Sequence, residues 1–169
     1  MRRLSLVLVA LITTVIAIPA SAAFADGGWT QISSRWSGKC IDMIRESGPG
    51  NGTLAQQWNC THTPEQQFTA LPVAGGLVML ENQRSARCLR PSEDSTLNNA
   101  LIEQFDCNQA DGGQLWQVFD PGGNSTGAKW LKNNSSGRCI EDSAWSGANG
   151  TLLTQSDCMF AWKDFWFGL

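Results

Sequence analysis

The apolar positions of the chain fall into two regimes. From Leu6 to Ile18 every residue is apolar except Thr13 and Thr14. Beyond residue 28 the apolar residues come in short runs bounded by Gly, Ser and Asn, and no stretch keeps a 3.6-residue period over three turns. Trp29-Thr30-Gln31-Ile32, Leu77-Val78-Met79-Leu80 and Lys129-Trp130-Leu131 read as strands. Asn51-Gly52 and Asn149-Gly150 read as hairpin turns, with Asn98-Asn99 in the corresponding place between them. The pattern predicts an all-β body.

The first regime is read as a targeting segment. Arg2 and Arg3 precede the apolar run, and Pro19 with Ala20-Ser21-Ala22 and Ala23-Phe24-Ala25 follows it. A basic start, a 13-residue apolar stretch and small-x-small sites predict a signal peptide over residues 1–25, cleaved after 22 or 25. Thirteen residues are short for a bilayer core, so the expectation is a secreted, extracellular protein with no membrane span.

Composition narrows the function. The chain has 169 residues, 12 Lys plus Arg and 15 Asp plus Glu. Without Arg2 and Arg3 the balance is 10 against 15, a formal charge of -5, which disfavours nucleic-acid partners. His62 is the single histidine and no CxxC pair occurs, so neither a metal site nor a cofactor is expected. No nucleophile–base arrangement is visible. Adjacent acids such as Glu93-Asp94 and Glu141-Asp142 raise a hydrolase reading, but neighbours on loops are ordinarily solvated surface.

Six cysteines carry a threefold repeat. Cys40 and Cys60 are 20 residues apart, Cys88 and Cys107 19, and Cys139 and Cys158 19. Six cysteines allow about 15 pairings. Equivalent cysteines in equivalent units should bond alike, which favours Cys40–Cys60, Cys88–Cys107 and Cys139–Cys158. Other residues recur in the same frame. Ser37-Gly38-Lys39, Ser85-Ala86-Arg87 and Ser136-Gly137-Arg138 precede each first cysteine, and Ile41, Leu89 and Ile140 follow it. Ala55, Ile102 and Leu153 coincide when counted back from the second cysteine. Gln66-Gln67-Phe68, Gln114-Leu115-Trp116 and Asp164-Phe165-Trp166 lie beyond it. A period near 50 means three copies of one supersecondary unit.

Together, Ser-Gly-Lys-Cys-Ile-Asp, Asn-Gly-Thr, Gln-Gln-Trp-Asn-Cys and Gln-Gln-Phe resemble the ricin B-type lectin repeat, with its Gln-x-Trp motif, from Trp29 to the C-terminus. The resemblance implies a β-trefoil over residues 26–169. It has three pseudo-equivalent lobes (about 29–72, 73–120 and 121–169), one disulfide in each, and carbohydrate binding. Galactose-type glycans and xylan-like polysaccharide are the partners it implies.

The resemblance also assigns roles. In the first lobe Asp42 is the acid for sugar hydroxyls, Trp58 the stacking platform and Gln66 the amide that orients the acid. Gln56 is a polar position beside the pocket, and Glu65 stands where Asn is usual. In the second lobe Arg90 replaces the acid, while Phe105, Asn108 and Gln114 remain as weaker candidates. An arginine cannot accept a hydroxyl proton. The third lobe keeps an acid in Glu141 but has Ser156 at the platform position, with Trp145 or Trp162 as substitute aromatics. The expected function is a non-catalytic secreted lectin or carbohydrate-binding module. A protein-interaction trefoil with decayed sugar sites is the alternative.

Overall fold

The computed structural model describes residues 28–122, 127–159, 164 and 166–169. The signal-peptide reading, and the expectations placed on Trp162 and Phe165, lie outside the described residues. Twelve short strands and no α-helix make up the described chain, in three sets of four. The first set is β1 (Ser33–Ser34), β2 (Cys40–Met43), β3 (Ala55–Trp58) and β4 (Phe68–Val73). The second is β5 (Leu77–Asn82), β6 (Arg87–Pro91), β7 (Ile102–Asp106) and β8 (Trp116–Phe119). The third is β9 (Trp130–Asn133), β10 (Cys139–Asp142), β11 (Thr151–Ser156) and β12 (Trp166–Phe167). All pairings are antiparallel.

Outer strands of each set close a ring. β4 pairs with β5, β5 with β8, β8 with β9, and β12 with β1. Bridges from Thr30 to Phe68 and from Lys129 to Trp166 complete the circuit. Inner strands form the hairpins β2–β3, β6–β7 and β10–β11, joined to one another by β3–β11 and by bridges Leu54–Glu103 and Leu101–Thr154. This ring capped by a triangle of hairpins is a β-trefoil. Among the described residues it leaves no long open edge for another chain to pair with.

The repeat seen in the sequence is the repeat of the core. Ile32, Leu80 and Leu131 are fully buried in one layer, and Ile41, Leu89 and Ile140 in another. Ala55, Ile102 and Leu153 form a third layer, and Phe68, Trp116 and Trp166 a fourth. Each fully buried large aliphatic side chain contributes about 1.5–3 kcal/mol. The first lobe has the smaller residue in two layers, Ala55 and Phe68, and its Met43 also enters the core. An unbranched thioether fills irregular space of that kind. Disulfides Cys40–Cys60, Cys88–Cys107 and Cys139–Cys158 form, one per lobe, with Cα separations of 5.1, 5.0 and 5.0 Å.

Three buried glutamines lock the lobes together. Gln57 donates to the backbone carbonyls of Ser146 and Ala148 in the third lobe. Gln104 donates to Gly50 in the first at 3.0 Å, and Gln155 to Ser95 and Leu97 in the second at 2.6 and 3.0 Å. Each amide oxygen accepts from a serine hydroxyl at 2.7 Å, from Ser37, Ser85 and Ser136 respectively. A buried amide left unpaired would cost about 1–3 kcal/mol, so these three side chains hold the loops they reach in place.

Two expectations are corrected. Residues 29–32 are not a continuous strand. Thr30 pairs with Phe68, whereas Ser33 and Ser34 pair with Phe167 and Trp166, so the chain changes partner between them and neither ladder is long. The Asn-Gly pairs are not two-residue hairpin connections either. They sit inside longer loops that also contain the 3₁₀ turns Arg45–Ser47, Ser92–Asp94 and Ser143–Trp145. Their backbone reading holds at the second position, where Gly52, Asn99 and Gly150 have φ of 82°, 66° and 83°.

Candidate functional site

Strand alternation separates core from site in the first lobe. Ile41 and Met43 of β2 and Ala55 of β3 face the core. Asp42 lies opposite Gln56 on the other face, and Trp58, two residues beyond Gln56, projects from that same face. Asp42 is 8% exposed and Trp58 40% exposed. Both line one open hollow of about 570 Å³, together with Gln56, Glu65, Arg45, Glu46, Thr61 and Thr63. The predicted acid, platform and neighbouring amide are therefore on one surface.

Two amides hold the Asp42 carboxylate in place. Gln56 Nε2 donates to Oδ1 at 2.8 Å and Gln66 Nε2 to Oδ2 at 3.0 Å. Gln66 is fully buried behind the hollow. Its Nε2 also donates to the Asn59 carbonyl at 2.9 Å, and its oxygen accepts from the Thr61 backbone N–H at 2.7 Å and from Gln31 at 2.8 Å. Burial pushes the Asp42 carboxyl above the usual aspartate range, against the two amides, and the Glu65 charge adds to the rise.

Glu65 lines the hollow, but its carboxylate is engaged by two arginines. Arg45 reaches it through Nε at 2.9 Å and Nη2 at 3.1 Å, and Arg84 through Nη1 at 3.0 Å. Burial of Glu65 raises its carboxyl, but the bond from Arg45 and further hydrogen bonds outweigh this and hold it below the usual range. Arg45 and Arg84 were not singled out from the sequence. Arg84 belongs to the turn between β5 and β6, so only the folded lobe order brings it to the first hollow. His62 is exposed on a neighbouring loop.

In the second lobe the same positions are closed on themselves. The Arg90 guanidinium lies 3.8 Å from the centroid of the Phe105 ring, over the face that Trp58 leaves open. It is held there by Glu103 at 3.0 Å, Asp94 at 3.2 Å and Asp111 at 3.5 Å. Burial, then the like charge of Asp111, raise the Asp94 carboxyl. Asn108 and Gln114 line the remaining hollow of about 490 Å³. Gln114 keeps the structural half of the amide role, accepting from the Asn108 N–H at 2.8 Å and donating to the Asp106 carbonyl at 2.8 Å.

In the third lobe Glu141 is buried and accepts from the Ser156 hydroxyl at 2.6 Å. Asp164 stands in the glutamine position and accepts from the Met159 N–H at 2.9 Å. Where Gln66 brings an amide donor, Asp164 brings a carboxyl, which when ionised only accepts. Trp145 is 49% exposed and meets Trp36 edge to face, with ring centroids 5.3 Å apart.

A family model described as the ricin-type beta-trefoil lectin domain matches residues 28–166. Comparison with curated proteins finds no match. Among solved structures, the chain is similar to the designed threefold symmetric protein ThreeFoil, with a TM-score of 0.78 and 20% identity over 83% of this chain and 97% of that one. It is also similar to an exo-beta-1,3-galactanase from Clostridium thermocellum, with a TM-score of 0.78 and 20% identity. That match covers 87% of this chain but only 31% of the galactanase. The C-half of an earthworm R-type lectin, in complex with GalNAc, matches with a TM-score of 0.62 and 14% identity, over 83% of this chain and 96% of that one.

Proposed function

This chain belongs to the ricin-type beta-trefoil lectin domain family, and from that premise we propose that it is a secreted, non-catalytic carbohydrate-binding protein whose first lobe takes one pyranose ring. The observation that carries the reading is the Asp42 carboxylate. It is held by Gln56 and Gln66 at the floor of a hollow whose wall is the exposed indole of Trp58.

A pyranose has one C–H-rich face and a rim of hydroxyls. The Trp58 face suits the first, and the two Asp42 oxygens suit a pair of neighbouring hydroxyls on the second. Gln56 and Gln66 fix the carboxylate before the ligand arrives, so little ordering remains to oppose binding. Glu65 acts by placing Arg45, whose guanidinium supplies hydrogen-bond donors where the carboxylates supply only acceptors. The same arrangement argues for binding over hydrolysis. Glycoside hydrolysis needs two carboxyl groups facing the scissile bond, and of the other acids lining this hollow Glu65 is spent on two arginines and Glu46 stands exposed on the 3₁₀ turn Arg45–Ser47.

Galactose-type sugars come first for testing, because two structural neighbours are named for galactose chemistry, a GalNAc complex and a galactanase. Xylan-like polysaccharide comes second. One shallow site of this kind has a Kd in roughly the millimolar to tens-of-micromolar range. A glycan array and polysaccharide pull-down on the chain from residue 26 onward, with Asp42→Ala and Trp58→Ala as controls, test the assignment. Binding that disappears in both variants while their melting curves stay unchanged supports it. Binding that survives both moves the site elsewhere, and no binding to any glycan leaves the protein-interaction alternative. Export into the medium from the full-length gene, with a new N-terminus at residue 23 or 26, tests the targeting reading.

A further inference from the structure

We propose that Asn149 is a self-modification site, deamidated in the folded protein by attack of the Gly150 backbone nitrogen on the Asn149 side chain, with Lys39 as the group that promotes the step.

The chain carries a matched control. Asn51-Gly52-Thr53-Leu54 and Asn149-Gly150-Thr151-Leu152 are identical stretches in equivalent loops. In both, glycine leaves the attacking nitrogen uncrowded, whereas Asn98 in the middle copy is followed by Asn99, whose Cβ stands in the way. Asn51 and Asn149 are both exposed. Their attacking N–H groups are also tied alike, Gly52 to the Gln104 carbonyl at 2.9 Å and Gly150 to the Gln57 carbonyl at 3.0 Å. What differs is the surroundings of the side chain.

At Asn51 the leaving amide is held. Its Nδ2 donates to Asp106 Oδ2 at 2.9 Å, and its Oδ1 accepts from Arg87 Nε at 2.6 Å. Arg87 is itself paired with Asp106 at 3.1 Å, so negative charge developing on Oδ1 faces that carboxylate. At Asn149 the Oδ1 accepts from Lys39 Nζ at 2.8 Å and from the Asn59 backbone N–H at 3.0 Å. Asn59 stands where the other lobes have Asp106 and Asp157. Lys39 therefore meets amide oxygens where Arg87 and Arg138 meet carboxylates. A cation and a backbone N–H converging on one carbonyl oxygen stabilise the oxyanion of an addition step. Among the described residues no acceptor holds the Asn149 Nδ2, so the leaving group is free.

The step balances with water as its co-reactant. A bond forms from Gly150 N to Asn149 Cγ, the Cγ–Nδ2 bond breaks, and the Gly150 proton leaves with that nitrogen as ammonia. Water then opens the succinimide, at Cγ to an aspartyl chain or at the backbone carbonyl to an isoaspartyl one. The aspartyl product gives Lys39 the carboxylate partner that Arg87 and Arg138 already have. The isoaspartyl product lengthens the backbone beside the first hollow, where a Cβ on Gly150 would lie 3.7 Å from Trp58 Cζ3 and 3.8 Å from Gln56 Oε1.

The test incubates the chain from residue 26 onward at mildly alkaline pH and follows both asparagines by peptide mapping in the mass spectrometer, with enzymatic methylation to mark isoaspartyl products. In the folded chain Asn149 should convert about tenfold faster than Asn51, and after reduction and denaturation the two should convert at similar rates. Lys39→Met should slow Asn149 by about tenfold without moving Asn51, and Lys39→Arg should restore most of the rate. Melting curves confirm that each variant is folded, and the comparison within the parent chain needs no variant at all. Equal native rates at the two asparagines, or a slower Asn149, overturn the proposal. So does a native Asn149 rate that Lys39→Met leaves unchanged. None of these readouts involves a sugar, so they stand whichever way glycan binding by the first hollow falls.

Discussion

The Gln66 side chain donates to the Asp42 carboxylate at 3.0 Å while its oxygen accepts from the Thr61 backbone N–H at 2.7 Å. One buried amide thus joins the floor of the hollow to the loop after the second cysteine. Gln114 makes only the second of these links, because Arg90 has taken the place of the acid. The structural part of the role therefore survives where the acid is gone.

Replacing Gln66 by Leu removes both links without adding a charge. It removes the bonds to the Thr61 N–H and the Asn59 carbonyl, whose residues are themselves exposed, and this should lower stability by about 1–2 kcal/mol. It also frees the Asp42 carboxylate to rotate, so affinity should fall by about tenfold or more in the molecules that remain folded. Denaturant melts and titration calorimetry read the two effects separately. An unchanged affinity would show that Gln56 alone suffices to orient the acid.

Acid should silence the site before it unfolds the chain. The Asp42 carboxyl is raised, chiefly by burial, so the folded state holds this proton more tightly than the unfolded one. Its contribution to stability is full below the unfolded value and is lost as pH rises through the folded one. Binding runs the other way, since only the ionised form accepts two hydroxyls. The Glu65 carboxyl is lowered, so its contribution is present above its unfolded value and is lost only as pH falls through the depressed folded one. Titrated downward from neutral pH, affinity should therefore begin to fall above the ordinary aspartate range, with the melting temperature still holding. Affinity and melting temperature that fall together would contradict this assignment.

Much of the fold could be read from the chain because its threefold frame repeats both covalent and apolar positions. Cys40, Cys88 and Cys139, with Ile41, Leu89 and Ile140 after them, mark the same strand three times. The glutamine lock was equally present, as Gln57, Gln104 and Gln155 each stand three places before a second cysteine. A lone polar residue in a strand does not announce burial, however, until its partners on the next lobe are known. The Arg45–Glu65–Arg84 cluster was illegible for a related reason, because Arg84 arrives from another lobe. The broken first strand was missed because apolar alternation says nothing about a change of pairing partner.

The turn before each first cysteine offers a stability test. Gly38 and Gly137 have φ of 67° and 68°, and Ala86 in the same place has 52°. A Cβ costs about 1 kcal/mol in this region, partly offset by the lower entropy of the unfolded alanine chain. Ala86→Gly should therefore gain about 0.5–1 kcal/mol. Gly38→Ala should lose about 1 kcal/mol, with no clash involved, since nothing lies within 4 Å of the added atom. Melting temperatures should move in opposite directions by about 2–5 °C. A loss in both variants would show that the alanine is not strained.

The second lobe can be used to ask what the first lobe requires. Arg90→Asp restores the missing acid, but alone it should fail. Glu103, Asp94 and Asp111 all face Arg90, and removing the cation leaves their carboxylates together with a new one. Breaking so enclosed a cluster costs about 3–5 kcal/mol. Glu103 occupies the place of Gln56, so adding Glu103→Gln removes one repelling charge and supplies an amide donor in the position from which Gln56 holds Asp42. Gln114 already stands where Gln66 stands, and with Arg90 gone the face of Phe105 is uncovered. The double variant should recover part of the lost stability and add one binding site per chain over the parent, measured by calorimetric stoichiometry with the sugar that the first lobe binds. A refolded double variant with no added site would mean that an acid, two amides and an aromatic face are not sufficient, and that Arg45, placed by Glu65, supplies an indispensable part of the first hollow.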